Sequence, residues 1–146
     1  MLEDSFRNVY DKFKFHFYRK VFDVVKEREG SLSVMEAFSL EVIKMLHQPT
    51  VGQFAEFLNI SQSNATYKIN NLIKKGYIER TNSSTDHREY YLILSEKYYR
   101  YSELFGAYED TVMNRVKDRC TPEEVATFDK VLRIISADLM PEVRIK

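Results

Sequence analysis

The chain of 146 residues lacks what several broad protein classes require. It has one cysteine, Cys120, so no intrachain disulfide can close and no thiolate cluster is at hand for a metal, which points to a reducing compartment. Its four glycines form no Gly-rich run of the kind that cradles phosphate. No stretch approaches the roughly 18 uncharged apolar residues of a membrane span. The opening Met-Leu-Glu-Asp-Ser is acidic and polar rather than basic and then apolar, so a secretory signal is not expected and the expected location is the cytoplasm. His16, His47 and His87 lie on three separate segments and offer no metal-ligand spacing. Neither a Ser-His-Asp set nor a pair of working carboxylates is recognisable, so no enzymatic activity and no cofactor are expected.

Net charge is also missing: 22 basic side chains balance 22 acidic ones. That sum argues at first against a polyanionic partner, but the distribution is uneven. Residues 1–60 carry 8 basic and 9 acidic side chains, residues 61–100 carry 7 and 4, and residues 101–146 carry 7 and 9. Only the middle segment is positive, as one anion-facing surface on an otherwise neutral protein would be.

What is present is mostly helical periodicity. Phe6, Tyr10, Phe13, Phe17, Val21, Val24 and Val25 recur at steps of three and four, which predicts a helix over about 4–28, ended near Gly30. Ser33 and Glu36 form a capping box for a second helix, with Phe38, Val42, Met45 and Leu46 as its expected buried stripe and Gln48-Pro49 as its stop. Thr50 and Gln53 cap a short third helix carrying Val51, Phe54, Ala55 and Leu58. After the turn Asn59-Ile60-Ser61, Ser61 caps a fourth helix to about Lys75, with Ala65, Ile69, Leu72 and Ile73 inward and Gly76 as its end. Two short helices joined by so tight a turn make a helix-turn-helix.

Beyond Gly76 the pattern becomes extended. Residues 77–81 and 89–94 are two β-prone runs around a polar tip, the signature of a hairpin, and a hairpin directly behind a helix-turn-helix is a wing. Ser95 then opens a long helix expected to reach about Arg119, and Thr121-Pro122-Glu123-Glu124 caps a last one carrying Val125, Phe128, Val131, Leu132, Ile135 and Leu139. Cys120 stands just before that cap, where it can pair with Val125 as a small apolar staple; this reading is preferred to a redox role.

The order of these elements resembles the multiple antibiotic resistance regulator (MarR) family along nearly the whole chain. The residues that carry the likeness are Thr50 to Ser61, similar to the family's first helix and turn; Asn71 to Arg80, similar to its recognition-helix exit; Asp86-His87-Arg88, at the place of its Asp-x-Arg wing motif; and Leu92 to Ser95. The chain departs from the family at Tyr98, where glycine is common, and at Gln62 and Tyr67, where arginine is frequent.

The resemblance implies a mainly α fold with a small β-hairpin wing. It implies a single domain over 1–146, with a winged helix-turn-helix core at about 34–94 and dimerisation helices at about 4–28 and 96–140. It further implies a homodimeric regulator, most simply a repressor, on a palindromic duplex-DNA operator, and a small-molecule effector, with the tyrosines at 90, 91, 98, 99, 101 and 108 as cavity lining or as plain packing. With the Ser61 helix in the major groove, Gln62, Ser63, Asn64, Thr66, Tyr67 and Asn70 are candidates for base edges and nearby phosphates. Lys68, Lys74, Lys75 and Arg80 are candidates for phosphates. Arg88, held by Asp86, is the candidate for the minor groove. The alternative is a winged helix used only for protein contact, with its lysines an ordinary solvated face.

Overall fold

The computed structural model describes residues 1–24, 32–82, 89–103 and 107–144. They fall into two compact units, described over 1–103 and 107–144. The first contains α1 (Leu2–Val24), α2 (Val34–Leu46), α3 (Val51–Leu58), α4 (Gln62–Lys74), β1 (Ile78–Asn82), β2 (Tyr90–Leu94) and α5 (Glu96–Glu103). The second contains α6 (Tyr108–Arg119) and α7 (Pro122–Ile134), which continues as one π-helical turn over Ile135–Leu139.

Helix starts follow from local chemistry. At α2 the Ser33 hydroxyl accepts from the Glu36 N–H at 3.1 Å while the Glu36 carboxylate accepts from the Ser33 N–H at 2.9 Å. Thr50 with Gln53 and Thr121 with Glu124 repeat this reciprocal pair at α3 and α7. Ser61 caps α4 through the Asn64 N–H at 3.2 Å.

Between α2 and α3 the chain reverses through His47 and Gln48, both in the left-handed region at φ 50° and 52°. That conformation is costly for L-residues, and two in succession are uncommon. The reversal delivers the Pro49 carbonyl to the Leu92 N–H at 2.8 Å and pairs Thr50 with Tyr91, so the α2–α3 link lies along the hairpin. Glycine would relieve the backbone at position 48, whose side chain is exposed. Gln48→Gly is therefore expected to raise the thermal midpoint by about 2–4 °C, from roughly 1 kcal/mol of relieved strain, as a melting curve would show.

The core of the first unit is built from Leu40 and Ile43 of α2, Phe54 and Ala55 of α3, Ala65, Ile69 and Leu72 of α4, Tyr77, Ile78, Leu92 and Tyr98. The inward faces expected for α3 and α4 are the ones found. The expected stripe of α2 is found only in part, with Val42 packed against the core. Ala37, Leu40 and Ile43 face the core, while Phe38 takes the rings of Phe17 and Tyr18 from α1 and Met45 is exposed. Apolar residues surround α2, so periodicity alone could not choose between its two packed sides. On α1, Val21 is buried, but Phe6, Val9, Tyr10, Phe15 and Phe22 are exposed.

The antiparallel hairpin pairs Ile78 with Leu94 and Asn82 with Tyr90 at its two ends. Ser95 closes its base. Its N–H donates to the Tyr77 carbonyl at 3.0 Å, and its hydroxyl donates to the Gly76 carbonyl at 2.6 Å while accepting from the Tyr98 N–H, which starts α5. The expected helix from Ser95 to Arg119 is corrected to two, because Ala107 stands outside helical geometry, at φ −97° and ψ 73°, where α6 begins. Leu104 and Phe105 of that expected helix, and residues 25–28 of the first, lie outside the described residues.

In the second unit no described residue is buried. On α7 and the turn after it, Val125, Phe128, Leu132, Ile135 and Leu139 repeat at steps of three and four, so one apolar stripe runs the length of the helix largely uncovered.

Candidate nucleic-acid interface

The proposed reading surface starts from how α4 is held. Ala65, Ile69 and Leu72 are buried to within about 1 % exposure, which fixes the rotation of the helix and aims the other residues outward. Gln62, Ser63, Asn64, Thr66 and Tyr67 are exposed, and Lys68 and Asn70 are half-buried. With Lys74, eight of the twelve candidate residues thus lie on this one helix. Lys74 follows in its last turn, exposed.

Two open clefts flank α4. One, of about 440 Å³, lies between Thr50, Val51 and Gly52 at the start of α3, Gln62, Thr66 and Asn70 of α4, and the outer part of the hairpin at Arg80, Glu89 and Tyr90. Here Arg80 donates to the Asn70 carboxamide oxygen and its guanidinium lies 5.7 Å from the centre of the Tyr90 ring. These two candidates therefore meet each other, joining α4 to the hairpin. The other cleft, of about 390 Å³, lies between Met35, Glu36 and Ser39 of α2 and Tyr67, Lys68, Asn71 and Lys74 of α4, and ends at Lys75.

Lys75 is also engaged. Its ammonium sits 2.8 Å from the Glu36 carboxylate, which already closes the α2 capping box. Burial alone would favour the neutral acid. The hydrogen bond from Lys75, with those from Ser33, outweighs it and holds the carboxyl below its ordinary range. Lys97, which sequence reasoning passed over, donates to the Lys75 carbonyl at 2.6 Å and lies 4.6 Å over the Tyr77 ring, a cation on the carbonyl end of α4.

The tyrosines divide. Tyr98 is fully buried, donates to Glu41 at 3.0 Å and contacts the ring of Tyr101, which in turn meets Tyr77. Burial, with the Glu41 carboxylate beside it, pushes the Tyr98 phenol far above its ordinary value, and burial does the same for Tyr101. Tyr99 is exposed beside a cleft of about 360 Å³ with Ile43, His47 and Leu92–Leu94, and Tyr90 belongs to the α3–α4–hairpin cleft. Asp86 and Arg88 lie outside the described residues. Among those described, no three His, Cys, Asp or Glu side chains gather as a metal would need, and no helix is long and apolar enough to cross a membrane.

The chain matches a family model described as the MarR family over residues 30–89, a span that includes α2, the helix-turn-helix and β1 and ends just before β2. Over that span the chain is similar to the MarR family. The family so matched is one of transcription regulators, not of enzymes. Solved MarR-like structures extend the likeness beyond that segment. FabT of Streptococcus pneumoniae, solved in complex with DNA, is 24% identical with a TM-score of 0.62, covering 95% of this chain and 97% of its own. A mutant MepR from a multidrug resistant clinical isolate of S. aureus is 17% identical with a TM-score of 0.63, covering 96% and 98%. Sco3205 of Streptomyces coelicolor, described as a MarR family transcriptional regulator and also solved with DNA, is 20% identical with a TM-score of 0.55, covering 96% and 90%. At such identities these structures establish a shared fold. No curated protein matches the chain.

Proposed function

We propose that the protein is a duplex-DNA-binding transcription regulator that acts as a homodimer. In this reading α4 enters the major groove, and the wing tip over 82–88, with Arg88 and Asp86, reaches the adjacent minor groove. The observation that carries it is the face of α4: a helix fixed by three buried apolar residues presents exposed hydrogen-bonding side chains at Gln62, Ser63, Asn64, Thr66 and Tyr67. A surface meant only for protein contact would bury apolar side chains at its centre. Lys68 and Lys74 flank this run and supply charge for phosphates.

Dimerisation is supported by the exposed aromatic side chains of α1 and the uncovered stripe of α7, more apolar surface than a lone chain of this size leaves to water. Two-fold pairing sets two recognition helices about one DNA turn apart, roughly 34 Å, and calls for a palindromic site. A dimer seated on such a site within a promoter excludes the polymerase, so repression is the proposed sign. A small aromatic acid entering either cleft beside α4 would compete with DNA and act as effector.

The test is a fluorescence anisotropy titration on the promoter region of the protein's own gene. The expected result is an affinity that falls steeply between 50 and 200 mM salt, by about 10³-fold if six phosphates are neutralised. Affinity indifferent to salt and to DNA would leave the protein-contact reading in its place. In the same assay Arg88→Ala is expected to weaken binding with no change in the melting curve.

A further inference from the structure

The side chains of α4 that could read bases are narrowed by the bonds they already make. Asn70 accepts from Arg80, so its carboxamide oxygen is engaged within the protein. The Thr66 hydroxyl donates to the Gln62 carbonyl at 2.9 Å, which leaves its lone pairs and its methyl group. The Ser63 hydroxyl lies 3.2 Å from that of Ser61, and a serine pairs with any base in either case. What remains exposed in the first two turns is the carboxamides of Gln62 and Asn64 and the ring of Tyr67, which is 68% exposed.

No arginine or lysine stands between Ser61 and Tyr67. The first cation of the helix, Lys68, is half-buried and turned into the cleft with Met35 and Glu36. The guanidinium of Arg80, which shares a cleft with Gln62, is committed to Asn70 and to the Tyr90 ring. The usual reader of guanine, a cation on its O6 and N7, is therefore missing where a recognition helix touches base edges. The groups present have a different preference. A carboxamide pairs in two places with adenine at N6 and N7, and a tyrosine ring or a threonine methyl packs on the thymine methyl group.

We infer that each operator half-site is A·T at the base pairs facing the first two turns of α4, with adenines read by Gln62 and Asn64 and a thymine methyl packed against Tyr67. This rests on the DNA-binding reading above and adds the composition of the sequence recognised. Gln62 and Asn64 are the specificity-determining residues; Lys68 and Lys74 contribute affinity without preference.

Selection of tight binders by the full-length protein from a randomised duplex library tests it, followed by titration of the selected duplex and of versions with single G·C replacements. Expected are half-sites with consecutive A·T pairs and a loss of about tenfold for each replacement at the read positions. The double variant Gln62→Ala/Asn64→Ala, whose changes lie at exposed positions, is expected to keep the melting curve of the parent and to discriminate less between the selected duplex and an unrelated one. It should lose tenfold or more on the selected duplex. Gln62→Arg is expected to move the preferred pair at its position to G·C. Selection of G·C at these positions, or an unchanged preference in the double variant, overturns the inference while leaving DNA binding intact. Failure to bind any duplex overturns both.

Discussion

The Phe54→Ala protein is expected to melt about 10 °C below the parent. Phe54 is fully buried on α3, the helix that supports α4 from behind, among Leu40, Ile43, Ile69 and Leu92 in the same core. Truncating a buried phenylalanine to alanine costs about 3–5 kcal/mol in lost transfer energy and residual cavity. A chain of this length loses about 2–4 °C per kcal/mol. Circular dichroism melts of both proteins at one concentration provide the measurement, because linkage to assembly would otherwise shift the midpoint. A fall of only a degree or two would mean that α3 is not packed as described.

Leu132→Glu is expected to do the opposite: to leave the winged helix folded and abolish assembly. Leu132 is 41% exposed in the single chain, so a carboxylate there is solvated in a monomer and costs little. In a dimer sealed along the α7 stripe the same carboxylate would be buried without a partner. The expected product is a monomer by sedimentation. Its helix content should be near that of the parent, and its affinity for a palindromic duplex lower by about 100-fold or more, since two linked half-site contacts gain 10²–10⁴ over one. A dimer that survives the substitution would place the contact elsewhere on the molecule.

These two substitutions fall on parts of the chain that differ in how much their sequence discloses. The caps of α2, α3 and α7 were readable because each is settled by two side chains three apart, and that of α4 because one serine settles it. The inward faces of α3 and α4 were readable because each has only one apolar side. On α2 apolar residues lie all round, and the choice was made by partners that lie far away in sequence: Phe17 and Tyr18 on one side, Phe54 and Leu92 on the other. The candidate site shows the same limit. Exposure along α4 followed from helical phase, but the Asn70–Arg80 contact spans a turn and a strand, and Glu36 meets Lys75 across 39 positions. Charge counting assigned Arg80 and Lys75 to phosphates; only the folded chain shows what already holds them. Tyr98, noted in the sequence as a departure from glycine, became a core residue because Glu41 lies within reach of its hydroxyl.

The bonds Ser95 makes at the foot of the hairpin bear on how this surface can change. With the Gly76 and Tyr77 carbonyls both tied to Ser95, the segment from 76 to 95 returns to its own starting point. The foot of the hairpin is thereby fixed by Ser95 itself, whatever residues join the strands at the other end. Residues inserted or exchanged between Asn82 and Glu89 would alter what the tip touches while the strand register and the set of α4 stay as they are. Such a closed loop is an interchangeable part, able to be lengthened or traded between related chains.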